Sequence, residues 1–247
     1  RLVTRKTSGT EVLTPQAVTG DNGLTLTEYA PYGVIGAITP TTNPTSTIIC
    51  NTIAMLSAGN SIVFNVHPNA RECSMANVRL LHRAIVNAGG PNNLVSAVAE
   101  PTIESAQALM THKGVRLLAV TGGSGVVRQA MTSGKRAICA GPGNPPVVVD
   151  ATADLEHAGK NIVAGASFDN NIVCTDEKEV IAVDSIVDEL MQQMGRHGAY
   201  LLSESETHRV EQAIFSEQRG PRQRAVVTKD LIGKNASEIL ARAGIAS

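Results

Sequence analysis

Six short apolar runs, separated by segments with helical periodicity, limit this chain to few folds. The runs occupy residues 34–38, 62–66, 94–98, 115–120, 136–139 and 147–149. A strand that is buried on both faces of a sheet is apolar along its whole length, and parallel strands are buried in this way because crossover helices cover both faces. The alternation therefore predicts an α/β fold with an open parallel sheet, whose ligands bind at the carboxyl ends of the strands.

The segments between these runs carry helix signals. Ile49, Ile53 and Leu56 recur at i, i+4 and i+7, which places them on one face of a helix. Asn43 and Pro44 precede them as an N-cap residue and a first helical residue do. The same reasoning predicts helices through 78–85 and over 102–111.

The N-terminal part of the chain has a different pattern. Two extended runs, 11–19 and 24–29, flank the sequence GDNG at 20–23. Asn-Gly supplies the positive φ angles of a tight hairpin turn. We therefore predict an antiparallel β-hairpin arm within residues 1–31, ahead of a sheet domain at 32–150.

A second unit is predicted after Asp150. Leu155, Ala158, Ile162 and Ala166 form the apolar stripe of a helix that leads to the loop around Cys174. The segments after this loop are predicted as a strand at 179–183, a helix through 186–194, and, over 203–247, two short helices with a strand at 225–228.

Composition and charge exclude several kinds of partner. The chain has 21 Lys and Arg against 22 Asp and Glu, and only 2% aromatic residues without any Trp, which argues against nucleic-acid binding. The 43% hydrophobic content suits a packed globular core. The longest apolar-leaning stretch, 48–58, contains Asn51 and Thr52 and is too short to cross a bilayer of roughly 30 Å. We therefore expect neither nucleic acid nor membrane as a partner.

The four cysteines, Cys50, Cys73, Cys139 and Cys174, are widely spaced, without Cys-x-x-Cys or paired Cys/His motifs. Neither a disulfide framework nor a metal site is predicted, and a reducing cytoplasm fits best. The first three fall inside predicted helices or a strand, where a cysteine is usually a small buried hydrophobe. The chain begins with Arg1 and has no basic-then-apolar leader, so we expect a processed or excised piece.

Cys174 stands in a different setting, the segment SFDNNIVCT at 167–175, downstream of the Asn43 turn and of the glycine pair Gly122-Gly123. A thiolate can attack a carbonyl carbon, an amide N–H can stabilise the oxyanion, and a nicotinamide can accept a hydride. These parts suggest covalent oxidation of an aldehyde. No Lys, Arg or His lies within three residues of Cys174, so we expect backbone N–H groups and the bound cofactor to activate the thiol.

Four segments, in this order along the chain, resemble the aldehyde dehydrogenase superfamily: 32–44 (YGVIGAITPTTNP), 120–123 (VTGG), 141–146 (GPGNPP) and 167–171 (SFDNN). The closest resemblance is to its CoA-acylating branch, the acetaldehyde and propionaldehyde dehydrogenases of ethanolamine and propanediol utilisation. It extends over nearly all 247 residues and covers the middle of that family's chain. It implies that 1–31 is an oligomerisation arm, 32–150 an NAD-binding domain, and 151–247 the N-terminal part of an incomplete catalytic domain.

The resemblance also assigns roles to single residues. Cys174 matches the family nucleophile, and Asn43 matches the side-chain donor to the oxyanion, acting with the backbone N–H of Cys174. Thr121, Gly122 and Gly123 match the turn that faces the dinucleotide phosphates, although GGSG at 122–125 is not the usual G-x-G-x-x-G fingerprint. The other residues implied in NAD binding are Thr39, Pro40, Thr41, Asn65, His67, Val126 and Gly141.

Several of these residues have plainer alternatives. Asn43 before Pro44 is what an ordinary helix N-cap looks like. The glycine pair Gly122-Gly123 can be a simple turn from strand to helix, and a lone histidine such as His67 is more often structural than functional. The resemblance favours the functional interpretation of Asn43 and the glycine pair, and the structural one of His67.

One departure from the hydrolytic aldehyde dehydrogenases points to the acyl acceptor. Those enzymes carry a water-activating glutamate near 140–144, whereas residues 121–149 contain no Asp, Glu or His here. A thioester at Cys174 then lacks a local base that could activate water for hydrolysis. A thiol that attacks the thioester needs little activation by a base. We therefore expect coenzyme A as the co-substrate.

The sequence thus predicts oxidation of a short aliphatic aldehyde to an acyl-CoA with reduction of NAD. The resemblance further implies a homo-oligomer, located in the cytoplasm or inside a bacterial microcompartment with its shell or enzymes as partners. Two alternatives stay open: a hydrolytic NAD(P)-dependent aldehyde dehydrogenase, and a fragment that binds a nucleotide or assists assembly without turnover.

Overall fold

The computed structural model describes residues 2–217 and 225–246. The chain divides into two compact units, Arg1–Pro142 and Gly143–Ser247. The second unit was predicted to begin after Asp150, but it begins earlier, at Gly143. The reason is that the strand predicted at 147–149 pairs within the second unit. Each unit is an arrangement of helices and strands, so the chain is of the α/β class.

The first unit begins with a short helix α1 (Leu2–Lys6), a 3-10 turn (Thr10–Leu13) and an antiparallel hairpin of β1 (Gln16–Gly20) and β2 (Gly23–Thr27). The predicted hairpin is confirmed, with one correction. Its first strand begins at Gln16 rather than at residue 11, because the preceding residues wind into the 3-10 turn. All residues of both strands are exposed.

The main sheet of the first unit has five parallel strands in the order β5-β4-β3-β6-β7. Five of the six predicted runs form it, and the parallel arrangement is confirmed. The strands are β3 (Val34–Ile38), β4 (Ser61–Asn65), β5 (Val95–Ala97), β6 (Val115–Thr121) and β7 (Arg136–Ala140).

Four helices cover the two faces of this sheet. Ile48 of α2 and Val78 of α3 pack with Ala37 in one apolar cluster, whereas Leu109 of α4 and Ala130 of α5 pack with strand residues in another. The three predicted helices, around 49–56, through 78–85 and over 102–111, are confirmed, and a fourth helix, for which no range was predicted, follows β6. The four helices are α2 (Pro44–Ser57), α3 (Arg71–Asn87, after a 3-10 turn at Pro68–Ala70), α4 (Ile103–Thr111) and α5 (Ser124–Met131).

The strand order creates a crevice at the carboxyl ends of β3 and β6. From β3 the chain moves outward through β4 and β5, and then returns to the opposite side of β3 to form β6. The connections after these two neighbouring strands therefore lead to opposite faces of the sheet. In open α/β sheets this divergence leaves room for a ligand.

The second unit is built around a two-stranded parallel sheet. β8 (Pro146–Val149) pairs with β9 (Glu179–Ala182), and α6 (Leu155–Ala166) and α7 (Val187–Arg196) cover it. Val149, Ile162 and Leu190 form its buried centre. The prediction that 147–149 is the sixth strand of the first sheet is therefore wrong, because its hydrogen-bonding partner is β9.

The remaining part of the second unit is mostly helical, and the strand β10 was not predicted. Two short helices and a strand were predicted over 203–247, and all three are present; residues 218–224 and Ser247 lie outside the described residues. Among those that are described, no helix is long and apolar enough to span a membrane. The elements are 3-10 turns at Phe168–Asn171, Asp184–Ile186 and Lys229–Leu231, helices α8 (Glu204–Ile214) and α9 (Ala236–Arg242), and the antiparallel strands β10 (Phe215–Glu217) and β11 (Val226–Val227).

Candidate active site

The residues predicted to bind the dinucleotide collect at the carboxyl edge of the five-stranded sheet. Ile38 of β3 pairs with Val120 of β6, so Thr39 and Thr121, which follow them, stand side by side at the crevice. The others lie at or after strand ends along the same edge, or at the start of α5: Pro40, Thr41, Asn65, His67, Gly122, Gly123, Val126 and Gly141.

Thr39, at the end of β3, carries a buried hydroxyl at this crevice. Its side chain is only 1% exposed, and within residues 2–217 and 225–246 its Oγ1 atom has no hydrogen-bond partner. A buried hydroxyl without a partner is costly, and such atoms in folded proteins are usually paired with protein, water or ligand. Among the described residues, the hydroxyls of Thr52 in α2 and Ser74 in α3 are buried without a partner in the same way, so this state does not by itself mark a ligand site, and contact of Thr39 with a dinucleotide stays a prediction.

The Gly122-Gly123 turn is open to phosphate groups. It leads directly into α5, whose N-cap residue is Gly123, so no side chain at this position caps the helix. A Cβ atom built on Gly123 or Gly125 would meet nothing within 4 Å. Unpaired N–H groups at a helix N-terminus attract anions, and the turn is open at Gly123 and Gly125, whereas the Val126 side chain lies against Gly122.

Asn65 and His67 already have structural partners. Oδ1 of Asn65 accepts a hydrogen bond of 2.6 Å from the Ser105 hydroxyl, which ties β4 to the start of α4. Nδ1 of His67 accepts a hydrogen bond of 3.2 Å from the N–H of Asn69 and so caps the following 3-10 turn. Both side chains have a structural role, and their contact with a cofactor stays a prediction.

Asn43 occupies the N-cap position of α2, but its side chain does not cap the helix. Oδ1 of Asn43 instead accepts a hydrogen bond of 3.1 Å from the hydroxyl of Thr42. Only the main-chain carbonyl of Asn43 serves α2, by accepting from the N–H of Thr47 at 3.2 Å. The capping alternative therefore does not account for this asparagine, and its Nδ2 group is left to donate elsewhere.

In the second unit, Cys174 lies at the tip of a tight turn and is half-buried. The N–H of Asp176 donates to the carbonyl of Val173 at 3.2 Å, which closes the turn. The Asp176 carboxylate, whose residue is 5% exposed, accepts a hydrogen bond of 3.1 Å from the N–H of Val173. The turn is therefore held by two hydrogen bonds across its base.

The backbone before the turn is unusual, because Asp169, Asn170 and Asn171 have φ values of 47°, 52° and 59°. Three consecutive residues other than glycine in the left-handed region need support from their surroundings. The side-chain amide of Asn171 donates to the carbonyls of Ala166 at 2.6 Å and Glu177 at 3.0 Å. These bonds join the end of α6 to the segment after Cys174.

Lys178 is a residue of this site that sequence reasoning missed. Its ammonium group donates to Oδ1 of Asn171 at 2.6 Å, to the Asn171 carbonyl at 3.3 Å and to the Val173 carbonyl at 3.2 Å. Lys178 follows Cys174 by four residues, just beyond the three on each side that contain no cation. A window of four residues would have included Lys178.

The segment at 143–145 lies directly against the Cys174 turn. A Cβ atom added to Gly143 would overlap with the carbonyl oxygen of Cys174, so only glycine allows this approach. The carbonyl of Pro145 accepts a hydrogen bond of 3.0 Å from the N–H of Lys178. The proline-containing segment therefore acts as a support for the loop that carries the thiol.

A second support comes from later in the chain. The side-chain amide of Asn170 donates to the Gly233 carbonyl at 3.0 Å and to Oδ1 of Asn235 at 3.1 Å. Gly233 also lies so close to Ile172 that a Cβ atom there would overlap with the Ile172 side chain. The loop is thus fixed from both sides within the second unit.

Comparison with known proteins identifies the family. The sequence model of the Aldehyde dehydrogenase family matches residues 3–213, which is most of the chain. The chain belongs to the aldehyde dehydrogenase family. The resemblance inferred from the four sequence segments is therefore confirmed, and the fold is that of an aldehyde dehydrogenase.

Relatives of the CoA-acylating branch match over nearly the whole chain. The acetylating acetaldehyde dehydrogenase EutE of Salmonella typhimurium is 49% identical over 244 residues, which are 98% of this chain and 52% of that protein. The propionaldehyde dehydrogenase of the Clostridium phytofermentans fucose utilisation bacterial microcompartment is 46% identical, with a TM-score of 0.89 over 100% of this chain and 55% of that one.

A third relative has been solved with a bound ligand. The propionaldehyde dehydrogenase of Rhodopseudomonas palustris, with bound CoA and an acylated cysteine, is 48% identical, with a TM-score of 0.89 over 100% of this chain and 55% of that one. The chain spans about half the length of the relatives that it matches.

The other three cysteines of this aldehyde dehydrogenase chain are unlike Cys174. Cys139 lies in β7, where burial raises the pKa of its thiol and makes it a poorer nucleophile. Cys50 is half-buried in α2, as predicted for a packing residue. Cys73 lies in α3 as predicted but is exposed, so its interpretation as a buried hydrophobe is wrong.

With Cys174 in its predicted role as nucleophile, Gly143→Ala is expected to lower kcat by about 10- to 100-fold, because the new methyl group displaces the Cys174 carbonyl and with it the sulfur. Steady-state kinetics of NADH formation would measure it. Gly195→Ala is the matched control, since a Cβ atom there meets nothing within 4 Å. Equal activity of the two variants would show that the close approach at Gly143 is not needed.

Proposed function

We propose that the protein is a CoA-acylating aldehyde dehydrogenase, which oxidises acetaldehyde, propionaldehyde or a similar short aldehyde to the acyl-CoA with reduction of NAD. The observation that carries this proposal is Cys174, a half-buried thiol at the tip of a braced turn in a chain of this family. The names of its relatives support the same reaction, and one of them holds CoA with an acylated cysteine.

The proposed chemistry begins with the thiolate of Cys174, which forms a bond to the carbonyl carbon of the aldehyde. The backbone N–H of Cys174 is proposed to donate a hydrogen bond to the resulting oxyanion, and the family resemblance implies the side-chain amide of Asn43 as the second donor. A nicotinamide dinucleotide, when bound, supplies the acceptor for the hydride that leaves this carbon. The product at Cys174 is a thioester. In the overall reaction, aldehyde, NAD⁺ and CoA give acyl-CoA, NADH and one proton.

The acyl group then passes from Cys174 to the thiol of CoA, which displaces the enzyme thiolate. Transfer to water would need a general base beside the thioester. Residues 121–149 contain no Asp, Glu or His, and the carboxylate of Asp176 in the turn itself is occupied by the N–H of Val173. These observations favour a thiol as the acceptor over water.

Omission of CoA is expected to abolish steady-state NADH formation and leave at most a burst of one NADH per Cys174. The test is a stopped-flow assay of a full-length preparation with acetaldehyde, propionaldehyde and butyraldehyde, with and without CoA. Undiminished turnover without CoA would favour a hydrolytic dehydrogenase. Binding of NAD without any turnover would favour the non-catalytic alternative.

The nicotinamide dinucleotide is proposed to bind at the crevice of the first unit. Thr39 at the end of β3 and the Gly122-Gly123 turn at the start of α5 would hold it, and Pro40, Thr41, Val126 and Gly141 would contact it. We propose NAD rather than NADP. Parallel assays with the two cofactors test this choice, and a higher kcat/KM with NADP⁺ would contradict it.

The hairpin arm is proposed to join subunits of a homo-oligomer. Leu24 and Leu26 of β2 are 64% and 57% exposed, and Val18 of β1 is 68% exposed. Such apolar side chains on an isolated hairpin are typical of an interface. Leu24→Asp with Leu26→Asp is expected to lower the mass in sedimentation equilibrium to that of a smaller assembly. An unchanged mass would contradict the role of the arm.

We propose that the enzyme works in the cytoplasm or inside a bacterial microcompartment, with the shell or its enzymes as partners. The support is the microcompartment relative. Co-purification with intact shells of the source cell would test the second location, and exclusive recovery in the soluble fraction would contradict it.

A further inference from the structure

We propose that Lys178 is a positioning residue for the nucleophile, which aligns the sulfur of Cys174 by holding the peptide that precedes it. This inference rests on the proposed function, because it takes Cys174 as the reacting group. Lys178 is half-buried in the second unit and follows Cys174 by four residues.

The contacts of the ammonium group carry the argument. It donates three hydrogen bonds, to both oxygen atoms of Asn171 and to the carbonyl of Val173. These acceptors lie on the two sides of Ile172, so one cation bridges the strained segment and the residue that adjoins Cys174. Hydrogen bonds from a charged donor are stronger than those between neutral groups.

The ammonium group also determines how the Asn171 side chain is oriented. A lysine can only donate, so it must face Oδ1 of the amide and not Nδ2. Nδ2 is thereby directed to the carbonyls of Ala166 and Glu177. Loss of the cation would leave Oδ1 without its donor and release the amide that joins α6 to the Cys174 turn.

The segment held in this way needs such support. Asp169, Asn170 and Asn171 all have positive φ, a conformation that persists only when the surrounding structure imposes it. The backbone N–H of Lys178 is itself anchored on the carbonyl of Pro145 at 3.0 Å. Lys178 therefore links a fixed support to the strained segment, and the position of Cys174 depends on both.

The test compares three variants of the full-length protein. Lys178→Met removes the charge at similar size, and we expect it to lower kcat for CoA-dependent NADH formation about 10- to 100-fold, with KM for the aldehyde changed less than about twofold. Lys178→Arg keeps a cationic donor, and we expect it to recover at least half of the loss on a logarithmic scale. Lys160→Met is the matched control, because Lys160 is exposed on α6 of the same unit.

The outcomes separate positioning from mere stability and from the proposed function. Activity of Lys178→Met within twofold of wild type would overturn the inference. The inference would also be overturned if Lys178→Met and Lys178→Arg lost kcat equally and both had a lowered melting temperature. An inactive wild type would overturn the proposed function alone. The positioning role of Lys178 would then be tested by the rate at which iodoacetamide alkylates Cys174. Equal rates in wild type and Lys178→Met would overturn the inference as well.

Discussion

Cys174→Ser is expected to lower kcat for CoA-dependent aldehyde oxidation by roughly 10⁴- to 10⁶-fold, the range seen when a covalent nucleophile is lost. A serine hydroxyl is a far weaker nucleophile than a thiolate and needs an adjacent base. The buried carboxylate of the turn, Asp176, is committed to the N–H of Val173 and is not free for this task. The measurement is NADH formation by a full-length preparation under saturating aldehyde and CoA.

Cys139→Ser is the matched control, because that thiol lies in β7 and burial raises its pKa. We expect it to retain activity within about twofold. Mass spectrometry of enzyme quenched with aldehyde and NAD⁺, in the absence of CoA, should find the acyl group on Cys174. An adduct on another residue of an active enzyme would contradict the assignment.

Asn43→Ala is expected to lower kcat by about 10²- to 10³-fold, the usual cost of removing one donor to an oxyanion. Its stability should change little, within about 0.5 kcal/mol, because the Asn43 side chain makes no capping hydrogen bond to α2. Steady-state kinetics and urea denaturation of the same preparation measure the two effects separately.

Thr102→Ala is the matched control for Asn43→Ala. The Thr102 side chain does cap its helix, since it accepts from the N–H of Ser105 at 3.1 Å while the Ser105 hydroxyl accepts from the N–H of Thr102. We expect this variant to lose about 1 kcal/mol of stability and to keep its kcat. If Asn43→Ala instead loses stability and keeps kcat, Asn43 is only a cap residue.

Local sequence signals predicted most of the first unit. The stripe of Ile49, Ile53 and Leu56 and the predicted segment 102–111 mark real helices, and continuous apolar runs mark the five strands. These signals are reliable because strands buried on both faces and helices buried on one face have distinct periods. The run 147–149 has the same composition, but its pairing with β9 depends on residues more than thirty positions away.

The candidate site was predicted less completely than the fold. Cys174 and Asn43 were identified through motif resemblance, and their roles stay predictions. The support that Lys178 gives to the turn was overlooked because this residue follows Cys174 by four positions, and its side chain reaches back seven and five residues to the Asn171 and Val173 carbonyls. The unpaired hydroxyl of Thr39 could not be foreseen either, since a threonine at a strand end is more often hydrogen-bonded.

The amino-acid order alone determined most of the strands and helices, the hairpin turn at 20–23, and that Cys174 lies on a loop, but neither β10 nor the 3-10 turn at Thr10–Leu13. Those properties depend on neighbours within a few residues along the chain. Only the tertiary structure decided that β8 belongs to the second unit, that Gly143 supports the carbonyl of Cys174, and that Lys178 holds the turn. Such contacts join atoms whose meeting is set by the folded backbone, and no local periodicity or propensity encodes them.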